Sequence, residues 1–382
     1  MNLEGKSAYM ETSKLIFLNT GKLFSDTNVY DLPRARPTTH QTPFNKILYN
    51  DFPGMLNYYQ FSKKFLTNVA SIDRSNTLVT PFDLKLPDYL EMPKFEVVDY
   101  TYEDCVDARA KQIVNTDKEI VVFYGGGIDS ITVLTALTRN TDKKIKVALS
   151  EDSIYADRFF FNHAIKGKYD LLPSVSFQHY LGNDRYVCVT GEGNDELFGT
   201  NYINRILFRR SQDTLEMEPT KEHIMFLINT KDKFGFRYEE DSELHLKYLF
   251  DVASKSPVEL RTVHQFFWWI NFCLNWNTKQ TRLLAFSGHG KTIKPEVNYI
   301  NFFSTKEFQL WSMNKVGSSH KKKEAKNYIG ISELHDKVNV NNLNTICYNK
   351  KMAFAICSNM NYYNSVEDVD MNKILIQDNS FL

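Results

Sequence analysis

The 382-residue sequence is poor in cysteine: it has five, and none stands in a C-x-x-C pair. Cys105, Cys188, Cys273, Cys347 and Cys357 are scattered and odd in number, which argues against a disulfide framework and for reduced thiols. Nor is there an excess of charge of one sign, since 46 Lys and Arg face 46 Asp and Glu. No global field therefore draws the chain to nucleic acid or to an anionic membrane, although a local basic patch is still compatible with neutrality. Long apolar runs are missing too. The most apolar helical stretch, Phe266 to Leu274, is interrupted by Asn271 and is too short to span a bilayer. The opening residues, MNLEGKSAYMETSK, lack the apolar core of a secretory signal. The expectation is a soluble, cytoplasmic protein with no membrane partner. Its 42% hydrophobic content is enough for a sizeable core.

Proline is scarce in most of the chain, because seven of its eleven fall before residue 95, including Pro33, Pro37, Pro43 and Pro53. That punctuation suits short strands and loops, so residues 1–98 are expected to be a small leading domain or an extension. Beyond residue 335 the sequence turns polar and asparagine-rich, and residues 336–382 are expected to be a tail. The domain that carries the chemistry is expected at 99–335.

Within it the pattern changes to alternation. Tyr102 to Val114 has helical spacing through Cys105, Ala108 and Ile113, and Glu119 to Tyr124 (EIVVFY) reads as a strand. Ile128 to Leu137 reads as a helix, Lys144 to Leu149 as a strand and Ile154 to Ile165 as a helix. Ser174 to Phe177 and Tyr186 to Thr190 are further strand candidates. Such βαβ rhythm implies an α/β fold, a parallel sheet with helices on both faces. After Gly199 the β signal fades; His223 to Asn229, Glu240 to Ala253 and Pro257 to Leu284 predict a mostly helical C-terminal part. The cluster Phe266, Phe267, Trp268, Trp269 reads as helix-packing core more readily than as a base-stacking platform.

Tyr124 to Ser130 (YGGGIDS) closes a strand and opens a helix. Gly125, Gly126 and Gly127 present bare backbone N–H groups at a helix start, where anionic oxygens are favoured by unpaired amides and the helix dipole. Ser130 adds a hydroxyl and Asp129 a carboxylate suited to Mg²⁺. A Walker loop is excluded, because no lysine follows the glycines, and Asp129-Ser130 stands where a dinucleotide fingerprint needs glycine. A ligand-free turn, with Asp129 and Ser130 merely capping the helix, stays open on these residues alone.

A second motif, Thr190 to Gly199 (TGEGNDELFG), follows the strand YVCV and places Glu192, Asp195 and Glu196 within five residues. In a parallel sheet both loops leave strands at the same edge, so they can face one crevice. Carboxylates opposite a polyphosphate call for a divalent cation between them, hence Mg²⁺ with a nucleotide such as ATP. The alternative is a solvated acidic turn.

The two motifs together resemble the synthetase domain of the asparagine synthetase family, among the N-type ATP pyrophosphatases, which carry S-G-G-x-D-S and S-G-E-G-S-D-E-L-F-G-G. Gly126, Gly127, Asp129 and Ser130 match the first; Gly191, Glu192, Gly193, Asp195, Glu196, Leu197, Phe198 and Gly199 match the second. Gly125 replaces the leading serine and removes one hydroxyl from the phosphate cradle; Thr190 and Asn194 are mild substitutions. Further on, Pro257 to Phe286, with Arg282, looks like the family's late helical region. Lys322 to Lys326 (KKEAK) looks like its K-x-x-L-R element, with Lys322 as the reactive-site lysine. A solvated basic helix end is the alternative for that cluster.

The resemblance implies an adenine nucleotide alpha hydrolase-like fold and a two-step reaction. A substrate carboxylate attacks the α-phosphorus of ATP, giving an acyl-adenylate and pyrophosphate; ammonia or an amine then displaces AMP. By carry-over, Asp129 and Asp195 hold Mg²⁺, and Gly125, Gly126, Gly127, Ser130, Gly191 and Gly193 line the pyrophosphate. Glu192 orients or deprotonates the nitrogen, and Lys322 stabilises the tetrahedral intermediate. No cysteine precedes Cys105, and 1–98 is shorter than the family's glutaminase domain, so glutamine hydrolysis is not expected. The nitrogen would come from ammonia, an amine or a separate glutaminase. Alternatives are lactam or peptide closure, nucleic-acid modification and a non-catalytic nucleotide-binding scaffold. Neutral net charge and the lack of paired cysteines weigh against nucleic acid as a partner.

Overall fold

The computed structural model describes residues 73–77, 89–157, 160–174, 180–181, 183–207, 211–228, 239–277, 279–280, 297–316 and 321–330. The expected extension before residue 73 and the expected tail after 335 lie outside the described residues, as do Arg282, Cys347 and Cys357. The chain divides into two compact units. Described residues from 98–194, 297–311 and 321–330 form one; those up to 97, with 195–280 and 312–316, form the other. The second motif runs across this division, through Asn194 in the first unit and from Asp195 in the second.

The first unit is built on a sheet. Helix α1 (Tyr102–Val114) leads into β1 (Glu119–Phe123), α2 (Ile128–Arg139) and β2 (Ile145–Leu149). Then come α3 (Glu151–Ala156), a π-helical turn (Phe161–Ile165), β3 (Asp170–Pro173) and β4 (Tyr186–Thr190). The five strands, with β5 (Tyr299–Asn301), lie in the order β3-β2-β1-β4-β5 and all pairs are parallel. Val121 and Val122 point to opposite faces yet are both fully buried, so both faces of the sheet are covered at β1. This is why β1 and β4 read as apolar runs without alternation, whereas Lys146 interrupts β2.

Local signals account for most boundaries. At the start of α1, the Asp104 amide donates to Thr101 Oγ1 (3.1 Å) while the Thr101 amide donates to Asp104 Oδ2 (2.8 Å), a reciprocal cap. Its buried face is Tyr102, Cys105, Val106, Arg109, Ala110 and Ile113, and Ala108 is exposed. The helix expected over Ile154 to Ile165 starts earlier, at a Ser150–Ser153 cap, and α3 ends at Asp157, where φ is −147°. Strand β3 lies at Asp170–Pro173, and the strand expected over Ser174 to Phe177 falls, beyond Ser174, outside the described residues. Proline ends β3 without harm because this is an edge strand.

The first unit also includes a 3-10 turn (Phe302–Ser304). Helix α11 (Lys321–Gly330) is tied to α1 and α2 at its far end. There the Tyr328 hydroxyl donates to Asp107 Oδ1 (2.6 Å) and the Arg139 guanidinium sits 5.5 Å from the Tyr328 ring centre. Asn140 Nδ2 donates to the same Asp107 oxygen (3.1 Å).

The second unit is helical in its described residues: α4 (Asn194–Leu197, entering from the first unit), α5 (Thr200–Leu207), α6 (Asp213–Glu216), α7 (Lys221–Ile228), α8 (Glu239–Ala253) and α9 (Val263–Leu274). Helix α9 begins at a Thr262–Gln265 capping box, six residues later than the pattern from Pro257 suggests. Its aromatic cluster is core, with Phe266, Phe267, Trp268 and Trp269 all buried. Trp268 Nε1 donates to the Leu197 carbonyl (2.8 Å) and Trp269 Nε1 to the Val252 carbonyl (2.8 Å), so the indole N–H groups are satisfied. Gly199 lets α9 come close, since a Cβ there would stand 2.6 Å from Trp268 Cα. The buried Arg74 guanidinium lies 4.8 Å from the Phe272 ring centre and 4.9 Å from that of Trp276. Helix α10 (Lys306–Asn314) continues the chain after the 3-10 turn. Among the described residues no helix is long and apolar enough to cross a membrane.

Candidate functional site

The strand order sets the place. From β1 the chain moves to β2 on one side, while β4 joins β1 on the other, so β1 and β4 flank the point where the sheet's winding reverses. In open parallel sheets ligands bind at that point, outside the carboxyl ends of the strands. The glycine loop leaves β1 there, and the acidic loop leaves β4 beside it.

Gly126 takes φ +72°, and a Cβ there would lie 2.5 Å from both the Ala156 Cβ and the Ser153 carbonyl oxygen. Only glycine allows the loop to lie against α3 in this way. Gly127 is different: it is exposed, it is the N-cap of α2 with no side-chain cap bond, and a Cβ on it would meet nothing within 4 Å. At Gly127 the start of α2 therefore opens onto space, while Gly191 of the second loop packs against Asp129 and the Ser130 amide in the same turn. Tyr124 fixes the loop from below, its amide donating to the Ala148 carbonyl (2.8 Å) and its ring stacking on Phe160 at 6.2 Å. Burial, and then the charge of Asp157, hold the Tyr124 phenol protonated well above its usual range.

Ser130 holds the loop together. Its hydroxyl donates to the Gly127 carbonyl (2.9 Å) and accepts from the Gly125 amide (3.3 Å). The sequence suggests Ser130 as a donor to phosphate; in this geometry its proton is directed at the loop's own backbone.

The acidic loop meets this turn directly. Gly191 lies against Asp129, where a Cβ would be 3.0 Å from the Asp129 Cβ. Asn194, fully buried, donates from Nδ2 to Asp129 Oδ1 (2.7 Å) and accepts the Tyr102 hydroxyl on its own Oδ1 (3.1 Å). Tyr102 is buried too, and its burial, followed by the Asp129 charge, keeps the phenol protonated well above its ordinary value. Thr190 anchors the base of the loop by donating to Asn301 Oδ1 (2.7 Å) on β5. Glu192 and Asp195 are both half-buried; Asp195 follows Asn194 directly in the short helix α4.

No family model, curated protein or solved structure matches this chain.

The structure brings Gly125, Gly126, Gly127, Asp129, Ser130, Gly191, Glu192, Gly193 and Asn194 into two adjoining loops of one unit. Lys322 lies in the first turn of α11. That helix is pinned at Tyr328 beside the end of α2, while Glu324 lies near enough to Tyr102 to help raise its pKa. Two participants carry no obvious sequence signal. Asn194 looks like a mild change within an acidic turn, and Tyr102 like an ordinary helix-opening aromatic. The described cysteines, Cys105, Cys188 and Cys273, are buried with thiols pushed up by that burial, so they are poor nucleophiles.

The residues fit Mg²⁺ and a nucleotide in kind. Gly127 opens onto empty space at a helix start, and Asp129 is a hard oxygen donor beside it. Among the described residues no three His, Cys, Asp or Glu side chains gather closely enough to hold a metal by themselves. Mg²⁺ held by one or two carboxylates and substrate phosphates needs no such cage.

Proposed function

We propose that the chain is an asparagine synthetase-like ATP pyrophosphatase with an adenine nucleotide alpha hydrolase-like fold. It would join a carboxylate to ammonia or an amine, releasing AMP and pyrophosphate. The observation that carries this reading is the meeting of the two motif loops at the ends of the adjacent strands β1 and β4, with Asn194 bonded to Asp129. A glycine turn alone can be a bare strand-to-helix connection, and an acidic turn alone a solvated loop. Their junction at the sheet's switch point favours a phosphate and cation site.

In this reading the start of α2, with Gly126 and Gly127, would hold pyrophosphate oxygens, and Gly191 and Gly193 let the second loop approach. Asp129, with Asp195 as the resemblance implies, would hold Mg²⁺, which when bound would neutralise phosphate charge. Ser130 shapes the cradle instead of touching the phosphate, because its hydroxyl proton is engaged by the Gly127 carbonyl. Glu192 would orient or deprotonate the incoming nitrogen. Lys322 would face the oxyanion of the second step. The catalytic gain lies in positioning and in charge placed beforehand opposite developing negative oxygens.

The test is ATP–pyrophosphate exchange with Mg²⁺ across a panel of carboxylates, with Asp195→Asn as control. Exchange stimulated by one carboxylate, and lost in the control, supports the proposal and identifies the acceptor. ATP binding with no exchange under any carboxylate would instead favour a nucleotide-binding scaffold, to which Gly125 and the engaged Ser130 hydroxyl lend weight. Stimulation by RNA alone would move the chain to nucleic-acid modification.

A further inference from the structure

We infer that Asn194 is the positioning residue for Asp129, and that Tyr102 sets which end of the Asn194 amide faces the acid. This rests on the proposed cation and nucleotide reading of the site. It adds a residue for which the motif offers only a serine, and an assignment of what the longer amide does.

Asn194 is fully buried between two partners that want opposite things: Tyr102 supplies a hydroxyl proton at 3.1 Å and Asp129 a carboxylate oxygen at 2.7 Å. A primary amide can serve both at once, accepting through Oδ1 and donating through Nδ2. Turned over, it would set its carbonyl oxygen against the carboxylate, two acceptors face to face. Tyr102 holds the amide the right way round by donating to its oxygen. A serine has one short hydroxyl and cannot span both partners.

The support behind Tyr102 is rigid. Its ring packs against Phe303 (6.3 Å, stacked), Phe308 (5.9 Å, edge-on) and Trp311 (5.2 Å, tilted). The line from this aromatic wall through Tyr102 and Asn194 to Asp129 therefore consists of packed or hydrogen-bonded groups. One oxygen of the candidate cation ligand is thereby committed to a neutral donor, and the carboxylate plane is set before any ligand arrives. The same bond joins the loop after β1 to the loop after β4. Groups behind a metal ligand act in this way, orienting it and tuning its affinity.

The experiment uses the full chain, Mn²⁺ as the probe cation and the α,β-methylene analogue of ATP, followed by electron paramagnetic resonance. Wild type is expected to bind Mn²⁺ together with the analogue. Asn194→Leu keeps the volume but not the amide, and should bind Mn²⁺ about 10- to 100-fold more weakly with an altered hyperfine pattern. Tyr102→Phe keeps the ring and its packing, and should shift affinity and spectrum in the same direction by less. Circular dichroism establishes that each variant is folded; if Asn194→Leu is not, the Tyr102→Phe spectrum decides. Folded variants with wild-type affinity and spectrum overturn the inference while leaving the functional proposal standing. A wild-type protein that binds neither Mn²⁺ nor the analogue overturns both.

Discussion

Gly126 and Ala156 are so closely opposed that a Cβ on the glycine would stand 2.5 Å from the alanine Cβ. The glycine loop that follows β1 is thus braced by the helix that follows β2, its neighbour in the sheet. A left-handed backbone, φ +72°, is what lets the chain pass there. Its conformation comes from packing as well as from any ligand it holds.

This separates two adjacent glycines experimentally. Gly126→Ala forces both a left-handed alanine and a clash with Ala156 and the Ser153 carbonyl, and should cost about 1–3 kcal/mol of stability. Gly127→Ala meets open space at an ordinary φ of −89°, and should cost at most about 1 kcal/mol as the poorer helix cap. It places a methyl where an anion would approach the α2 amides, so ATP affinity should fall while the fold holds. Urea unfolding and ATP titration of the two variants check this. Equal ATP affinity in Gly127→Ala and wild type would move the phosphate away from this turn.

Tyr328 bears on helix α11. Its hydroxyl bonds the Asp107 carboxylate at 2.6 Å, holding α11 against α1 and α2 and so fixing where the Lys322 turn begins. Tyr328→Phe removes one charge-assisted hydrogen bond and should destabilise by about 1–3 kcal/mol. If Lys322 acts in the second step, pyrophosphate exchange in this variant should suffer less than amide formation. Comparison of the two rates at a temperature where the variant is folded is the measurement.

The parts of this architecture that show in the sequence are those whose cause is local. Ile120 to Phe123 and Tyr186 to Val189 are apolar because both faces of a parallel sheet are covered, and the glycine turn after β1 is written in consecutive residues. Strand β3 at Asp170–Pro173 carries no clear sequence signal, because its closing proline is tolerated only on an edge strand, a fact of topology. Strand β5 has three residues and pairs with β4 across more than a hundred positions, so no window of sequence contains its reason. Of the candidate site, Gly126, Asp129 and Glu192 stand out as motif residues. Asn194 does not, because what makes it matter is a carboxylate 65 residues away and a tyrosine 92 residues away.

Capping of α9 offers a test of the helical unit alone. The Gln265 amide donates to Thr262 Oγ1 (3.2 Å) and the Thr262 amide to Gln265 Oε1 (3.3 Å) at the start of the helix that carries Trp268 and Trp269. Thr262→Ala should cost about 1 kcal/mol. Thr262→Ser should recover most of it, because the hydroxyl and not the methyl makes the bond. A variant pair of equal stability in urea would show that packing of the aromatic face alone sets where the helix begins.

Alkaline pH should unfold the protein through its buried tyrosines. Burial raises the folded-state pKa of Tyr102 and Tyr124 well above the usual value, raises Tyr328 with the Asp107 carboxylate adding to it, and takes Tyr180 to about 12. An unfolded chain ionises these phenols near pH 10. Between the unfolded and folded values the native state binds more protons, so stability falls as pH rises. The contribution is complete below about pH 10 and is lost on the way up through the folded values. Tyrosinate absorbance should therefore appear in two parts: exposed phenols titrating smoothly near pH 10, and the buried set appearing together with loss of the helical circular dichroism signal. Smooth ionisation of every tyrosine near pH 10 with the fold intact would mean that these phenols are solvated, and with them the Tyr102 support behind Asn194.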